Sequence, residues 1–459
     1  MIPLTRQSKY LLIGILAGWL GRAASMGAQA LAPDAAGAVP AATPVVITLD
    51  EAIHRAQASD ANYAAAVATG RTATLDRNIA INNLLPSVVY HNQGLYTQPN
   101  GLTNQAGQGV TSQPAPRFIA NNAVREYASQ ASVGETLGLS NLAEVHRAQA
   151  LAAQAAAERE IARRGLVVTV VSLFYESMAA DHKLNVAQRA RQESAEFTKL
   201  TEEREQARES AHADVIKAQL EEQTRTRDLQ DAGVEAERAR LELGVLLFPD
   251  PRTAYTLSAP DAPPALASRE DAGAAAAKNN PELRSAFEAL KASKAGVMTA
   301  WASYLPDVSL NYTYGIDAPQ FAVNGPDSVR NLGYSAMVTV DIPVWDWLNT
   351  QRRVKQSEIA RQSQQVALNA TQRQLIARLD EAYSEAATAR DELASLDLSV
   401  STAAESLRLT KMAYTGGEAT VLEVVDAQGA YVTAQNARED GRVRYESARA
   451  KLQTLTGTM

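Results

Sequence analysis

Apolar and polar residues alternate along two stretches in the second half of the chain. Val308, Leu310, Tyr312 and Tyr314 interleave with Ser309, Asn311 and Thr313. After a loop, Leu332, Tyr334, Ala336, Val338, Val340 and Ile342 interleave with Gly333, Ser335, Met337 and Thr339. Period two predicts a pair of strands with one apolar face. Neither strand carries a lysine or arginine, which at mid-bilayer would cost roughly 2 to 4 kcal/mol. The pair reads as a transmembrane hairpin with Tyr312, Tyr314, Tyr334, Val338 and Val340 toward lipid. Trp345 and Trp347 follow, where an interfacial aromatic belt would sit. A weaker pair lies earlier. Val88, Tyr90 and Tyr96 share one face, and Tyr127, Ala131 and Val133 share another, with Glu135 on that second apolar parity. Glu135 requires a bulge or a position below the bilayer. A soluble hairpin with one buried face has the same alternation.

Elsewhere the pattern lengthens to that of helices. Thr48 and Glu51 have the capping-box spacing and open a helix expected to run to about Leu84, where Pro86 excludes continuation. Proline is absent from Arg117 to Phe248 and from Val344 to Met459, and Leu166–Ala232 and Gln351–Thr415 also lack glycine. A continuous helix of about 65 residues would be roughly 100 Å long. The second run carries Val354, Ile359, Val366, Leu375, Leu379, Leu393, Leu396, Leu407 and Met412 among polar residues, an apolar stripe suited to packing against another helix. A plain antiparallel coiled coil would show the same stripe.

The chain is duplicated. Leu84-Leu85-Pro86 returns as Tyr304-Leu305-Pro306, an offset of 306 − 86 = 220, and Ala213 to Gln219 returns as Leu422 to Gln428, an offset of 428 − 219 = 209. A longer insertion between Gln98 and Asn122 in the first copy explains the drop. Repeats of about 200 residues are too long for a solenoid, so internal two-fold pseudosymmetry is the better description. The expected layout is a first repeat over 46–248, with a β-hairpin at 87–137 and a helical hairpin at 139–247; a linker at 249–268; and a second repeat over 269–459, with a β-hairpin at 307–342 and a helical hairpin at 349–457.

Composition changes the picture at the N-terminus. Arg6 and Lys9 precede an apolar run from Tyr10 to Leu20, and Ala28 and Ala30 supply a cleavage pattern, so residues 1–30 read as a secretory signal and 31–45 as a loose Ala/Pro-rich segment. The run of about eleven residues is short of the ~20 that span a bilayer. Removing three basic residues leaves 41 − 51 = −10, which argues against nucleic acid as partner. With no cysteine there is no disulfide, thiolate site or lipid acceptor.

Between the two long helical runs of the second repeat stands a hairpin tip. Gly416 and Gly417 can take the positive φ that ends one helix, and Thr420 can cap the next. Val421, Leu422, Val424 and Val425 are expected on one side, and Glu423 and Asp426, three apart, on another.

Tyr414, Gly417, Leu422, Val425, Asp426 and Ala427 resemble the tip motif of the TolC-like outer-membrane efflux family. The order helix, Leu-Pro, strand, loop, strand, long helix, tip, long helix, given twice, is similar to that family over nearly the whole chain. The resemblance implies a mainly α fold with a small transmembrane β part. Three duplicated protomers would close a 12-stranded β-barrel continued by a long α-helical barrel. It implies an exit duct in the outer membrane extending into the periplasm, working with a periplasmic adaptor and an inner-membrane transporter. Asp426 and Glu423 would form acidic rings at the periplasmic gate, and Tyr414 would hold the closed state through hydrogen bonds to a neighbouring helix. The tips, here Gly416, Gly417, Thr420, Val421 and Leu422 with Arg208 and Ser210 of the first copy, would meet the adaptor. Two departures stand out: Ala419 where some members carry a gate arginine, and Arg208 where the first tip should have glycine. Arg208 is a candidate substitute for the missing lock.

A periplasmic or surface coiled-coil scaffold without channel activity is the competing reading. No catalytic, cofactor or metal residues are assigned. His54, His91, His146, His182 and His212 lack metal-ligand spacing and read as surface histidines, and no nucleophile or phosphate-loop motif occurs.

Overall fold

Short polar caps set where the helices start and stop. Thr48 opens α1 (Leu49–Ser59), its hydroxyl accepting from the amide of Glu51 at 3.3 Å. The helix expected to reach Leu84 instead breaks at Asp60, which is extended and whose carboxylate accepts from the amide of Tyr63 at 2.6 Å, starting α2 (Ala61–Asn82). An Asp side chain offers the backbone an alternative partner and so ends a helix without glycine or proline. The same joint returns at Asn280, between α5 (Arg269–Asn279) and α6 (Pro281–Ala302), where the Asn280 amide oxygen accepts from Leu283 at 3.0 Å.

The structure, a computed structural model, describes residues 45–96, 125–258, 266–318, 320–325 and 330–458. The expected leader at 1–30, segment 31–44, the insertion between Gln98 and Asn122 and residues 259–265 of the linker lie outside them. Apart from Val45, the elements below belong to the unit Val46–Met459. Strands β1 (Val45–Ile47) and β4 (Tyr255–Leu257) form a two-stranded sheet. A second sheet has four antiparallel strands in the order β2 (Ser87–Tyr96), β3 (Arg125–Leu137), β5 (Asp307–Ala318), β6 (Leu332–Asp341). The central β3–β5 pairing joins the hairpins of the two repeats.

Register sorts the sheet's faces. Tyr314 lies opposite Tyr334, Leu310 opposite Val338 and Val308 opposite Val340. Ala131 lies opposite Tyr314 and Tyr90 opposite Ala131. One face is therefore continuous through the apolar positions of both hairpins, and the other carries Ser309, Asn311, Thr313, Gln130, Ser132 and His91. Glu135, opposite Leu310, sits on the apolar face in an unbroken register, two residues from the end of β3, so no bulge accommodates it. Ser129, Tyr90 and Asn92 form a polar cluster on the same face: Tyr90 and Ser129 hydroxyls are 2.9 Å apart, and Ser129 donates to Asn92 at 2.7 Å.

Four rods follow. They are α3 (Leu139–Gln206, 68 residues), α4 (His212–Leu247, 36), α7 (Asn349–Thr415, 67) and α8 (Val421–Thr456, 36). The run from Leu166 to Ala232, free of proline and glycine, is not one helix: it turns at Ala207–Ala211 because Arg208 adopts φ 65. α3 packs against α2, α4, α6 and α8, and α7 against α6 and α8. Where α1, α3, α4, α8 and the small sheet meet, Phe174, Ile47, Leu243 and Val170 are fully buried. Burying such side chains contributes about 1.5–3 kcal/mol each. Of the stripe expected on α7, Val354, Leu375 and Leu407 are buried while Ile359, Val366 and Met412 are exposed, so those positions divide between two faces.

Candidate functional site: the paired hairpin tips

Both helical hairpins turn through the same backbone bonds. At the second tip the amide of Glu418 donates to the carbonyl of Ala413 (2.8 Å) and that of Gly417 to Tyr414 (3.1 Å), with Gly417 at φ 81. At the first, Glu209 donates to Arg204 (2.8 Å) and Arg208 to Glu205 (2.8 Å), with Arg208 at φ 65. These are two Schellman turns. Gly416 does not take a positive φ; it caps α7 at φ −73.

Starts of the return helices differ. Thr420 accepts from the amide of Glu423 at 3.3 Å, while Glu423 accepts from the Thr420 amide at 2.6 Å and its hydroxyl at 3.0 Å, a complete capping box. The backbone N–H of Thr420, then its hydroxyl, hold the Glu423 carboxyl below the usual carboxylate range. In the first tip Ala211 occupies the cap position and offers no side-chain bond. Ser210 is half-buried and Arg208 exposed.

Val421 and Val424 are buried with Phe197, Ala218 and Tyr414, against Ala419 and Val425. Leu422 points away and is 53% exposed, so the apolar side expected of four residues is made of three. Glu423 and Asp426 are both exposed, and Asp426 has no hydrogen bond or ion pair among the described residues. Tyr414 packs edge-on against Phe197, ring centroids 5.1 Å apart. Its hydroxyl is buried without a hydrogen-bond partner; the bond expected of it is not made within the chain.

Sequence reasoning missed Arg204. Its guanidinium donates to the Tyr414 carbonyl at 2.7 Å and the Thr415 carbonyl at 3.1 Å, and stands 4.8 Å from the centre of the Tyr414 ring. A cation thus meets the negative end of α7 from the last turn of α3. Higher up, Lys411 donates to Glu193 at 2.9 Å, a second tie between the rods. Arg208, the expected substitute lock, makes no side-chain bond among the described residues, and its left-handed backbone serves the turn; Arg204, one turn earlier, holds the neighbouring tip. The available signal was a basic residue in the last turn of a helix.

On the sheet, Tyr312, Tyr314, Tyr334, Val338 and Val340 share the apolar face and are 45% to 76% exposed. Tyr312 and Tyr334 stack at 6.2 Å. Among the described residues no His, Asp or Glu group is arranged to hold a metal ion, and no helix is long and apolar enough to cross a membrane. His182 and His212 each bond a carboxylate, Glu439 and Glu205.

Residues 273–458 match the family model of the outer membrane efflux proteins. No curated protein matches the chain. Among solved structures, the Campylobacter jejuni CmeC outer membrane channel aligns with TM-score 0.74 at 14% identity, over 89% of this chain and 85% of that one. The Vibrio cholerae outer membrane protein VceC aligns with TM-score 0.74 at 17% identity, over 89% and 96%. The open-state Neisseria gonorrhoeae MtrE channel aligns with TM-score 0.68 at 17%, over 89% and 88%. The chain thus has the fold of these outer-membrane channels, and its residues 273–458 are similar to the outer membrane efflux protein family.

Proposed function

We propose that this protein is the exit duct of a tripartite efflux system. The efflux family whose model its second half matches consists of outer-membrane channels rather than enzymes, which supports a place in the outer membrane with the helical part in the periplasm. The observation that carries the reading is the four-stranded sheet, apolar on one face and polar on the other, whose edge strands β2 and β6 each have a partner on one side only among the described residues. Open edges in lipid leave backbone groups unsatisfied. Three copies would pair β6 to β2 and close twelve strands, with the polar face lining the passage.

In this reading the tips form the periplasmic gate and receive the adaptor, while the inner-membrane transporter supplies energy. Asp426 and Glu423, exposed on one side of α8, become acidic rings by three-fold symmetry, and such rings favour cations. Arg204 ties the first tip to the second, so opening has to break its bonds to Tyr414 and Thr415. The Tyr414 hydroxyl, whose lack of a partner costs about 1–3 kcal/mol, gains one in the closed assembly.

Single-channel recording in planar bilayers tests this. Asp426→Asn is expected to raise conductance and weaken block by multivalent cations; unchanged conductance and block would remove the gate assignment. Loss of the polypeptide from membranes in carbonate, with no pore current, would remove the duct itself.

A further inference from the structure

The seam between α6 and α7 has a gap. Along α7 the positions Thr350, Val354, Ser357, Gln364, Leu368, Thr371 and Leu375 are all buried or half-buried, the alternating three and four steps of helix-on-helix packing. Arg361 falls on this series, seven residues after Val354 and seven before Leu368, yet it is exposed. A groove of about 520 Å³ opens there, lined by Leu290 and Lys294 of α6 and by Lys355, Glu358, Ile359 and Arg361 of α7.

Charge in this groove is unbalanced. Lys294, Lys355 and Arg361 have no ion pair or hydrogen bond among the described residues, and they face one carboxylate, Glu358. Two other cations of these helices are matched, Lys291 with Glu288 at 2.8 Å and Arg378 with Glu282 at 2.9 Å. In the first repeat, where α2 meets α3, the seam is closed by Ala80, Val145 and Ala148 with Leu84, and the cation on the same helical stripe, Arg77, is half-buried.

We propose that this groove binds a phosphate-bearing anion. Lys294, Lys355 and Arg361 would donate to the phosphate oxygens, and Leu290 and Ile359 would meet the apolar part of the ligand. Arginine and lysine together supply a planar fork and a point charge, the usual phosphate pairing. Lys355 lies six residues into α7, about 9 Å along the helix from its start, below Trp345 and Trp347. A phospholipid headgroup and a soluble phosphate ester share this chemistry, and the lipid source alone rests on the membrane location proposed above.

Titration of the purified full-length protein tests the site in two arms. In nanodiscs, phosphatidylglycerol is titrated against a phosphatidylethanolamine background and bound lipid is counted by native mass spectrometry. In detergent, inorganic phosphate is titrated and followed by ³¹P line broadening. Arg361→Leu restores an apolar residue to the packing series and keeps the fold, and Lys294→Gln with Lys355→Gln removes the other two charges. Each variant is expected to weaken binding by about tenfold or more, the worth of a charge-assisted bond. Lys199→Gln, on exposed α3 far from the groove, should leave binding unchanged. Loss in the lipid arm assigns a headgroup, and loss in the phosphate arm alone assigns a soluble anion. Equal binding by parent and variants in both arms, or an equal fall in the Lys199 control, overturns the site.

Discussion

The two hairpin tips are the same turn built from different residues. Each closes with the same pair of Schellman bonds, but the left-handed position is Gly417 in one and Arg208 in the other. The helix that follows starts from a capping box at Thr420 and Glu423 in one, and from an uncapped Ala211 in the other. A non-glycine residue in that conformation costs about 1–2 kcal/mol, and a missing cap about 1 kcal/mol more. The second tip is therefore locally self-sufficient, whereas the first is strained and poorly started. Yet the strained tip supplies Arg204, which fastens the stable one. Local stability and latching have been divided between the copies.

The contrast can be broken at its strongest point first. Arg204→Met keeps the stem but loses both carbonyl bonds and the ring contact, a loss of about 2 kcal/mol. Hydrogen exchange at the Gly417 and Glu418 amides should then accelerate about thirtyfold, the same energy read as opening of a local unit. Unchanged exchange would mean that the second tip needs no help from the first. Next come paired substitutions of opposite sign. Gly417→Ala should destabilise by about 1–2 kcal/mol, purely through the backbone, since a Cβ there meets nothing within 4 Å. Arg208→Gly should stabilise by about 0.5 kcal/mol, relief of strain being offset by a freer unfolded chain. Urea midpoints that move in the same direction would erase the distinction.

A last substitution sharpens the capping difference. Thr420→Ala should cost about 1 kcal/mol, and its consequence should depend on pH. Glu423 has a folded pKa below its ordinary value of 4.5, so its contribution is complete above that value and disappears as the pH falls through the folded pKa. Amide exchange around the second tip should therefore quicken in acid below about pH 4.5 in the parent protein and less so in Thr420→Ala. The first tip should show no such difference when Ala211 is replaced by glycine.

What could be read in advance divides along physical lines. Strand pairs were legible because alternation is a local signal, and the register adds that one face runs through both hairpins. The second tip was legible because Gly417, Thr420 and Glu423 each carry a backbone preference. The break at Asp60 was not, because a single capping carboxylate leaves no mark on periodicity. Leu422 was assigned to the buried side because four apolar residues in five exceed the three that one helical face can cover. The position of Arg204 in a last turn was legible but its partners were not: they lie 210 and 211 residues away, and no spacing rule connects an arginine to carbonyls on another rod.

Rod length has a consequence of its own. α3 and α7 contain 68 and 67 residues and run unbroken to their turns, so each is a ruler of about 100 Å. Inserting one residue into either would displace its turn by about 1.5 Å and rotate it by about 100° relative to the other, pulling Arg204 off the end of its neighbour. Change in reach has to occur in both rods together, which makes the span between the four-stranded sheet and the turns one of the least adjustable dimensions of the protein.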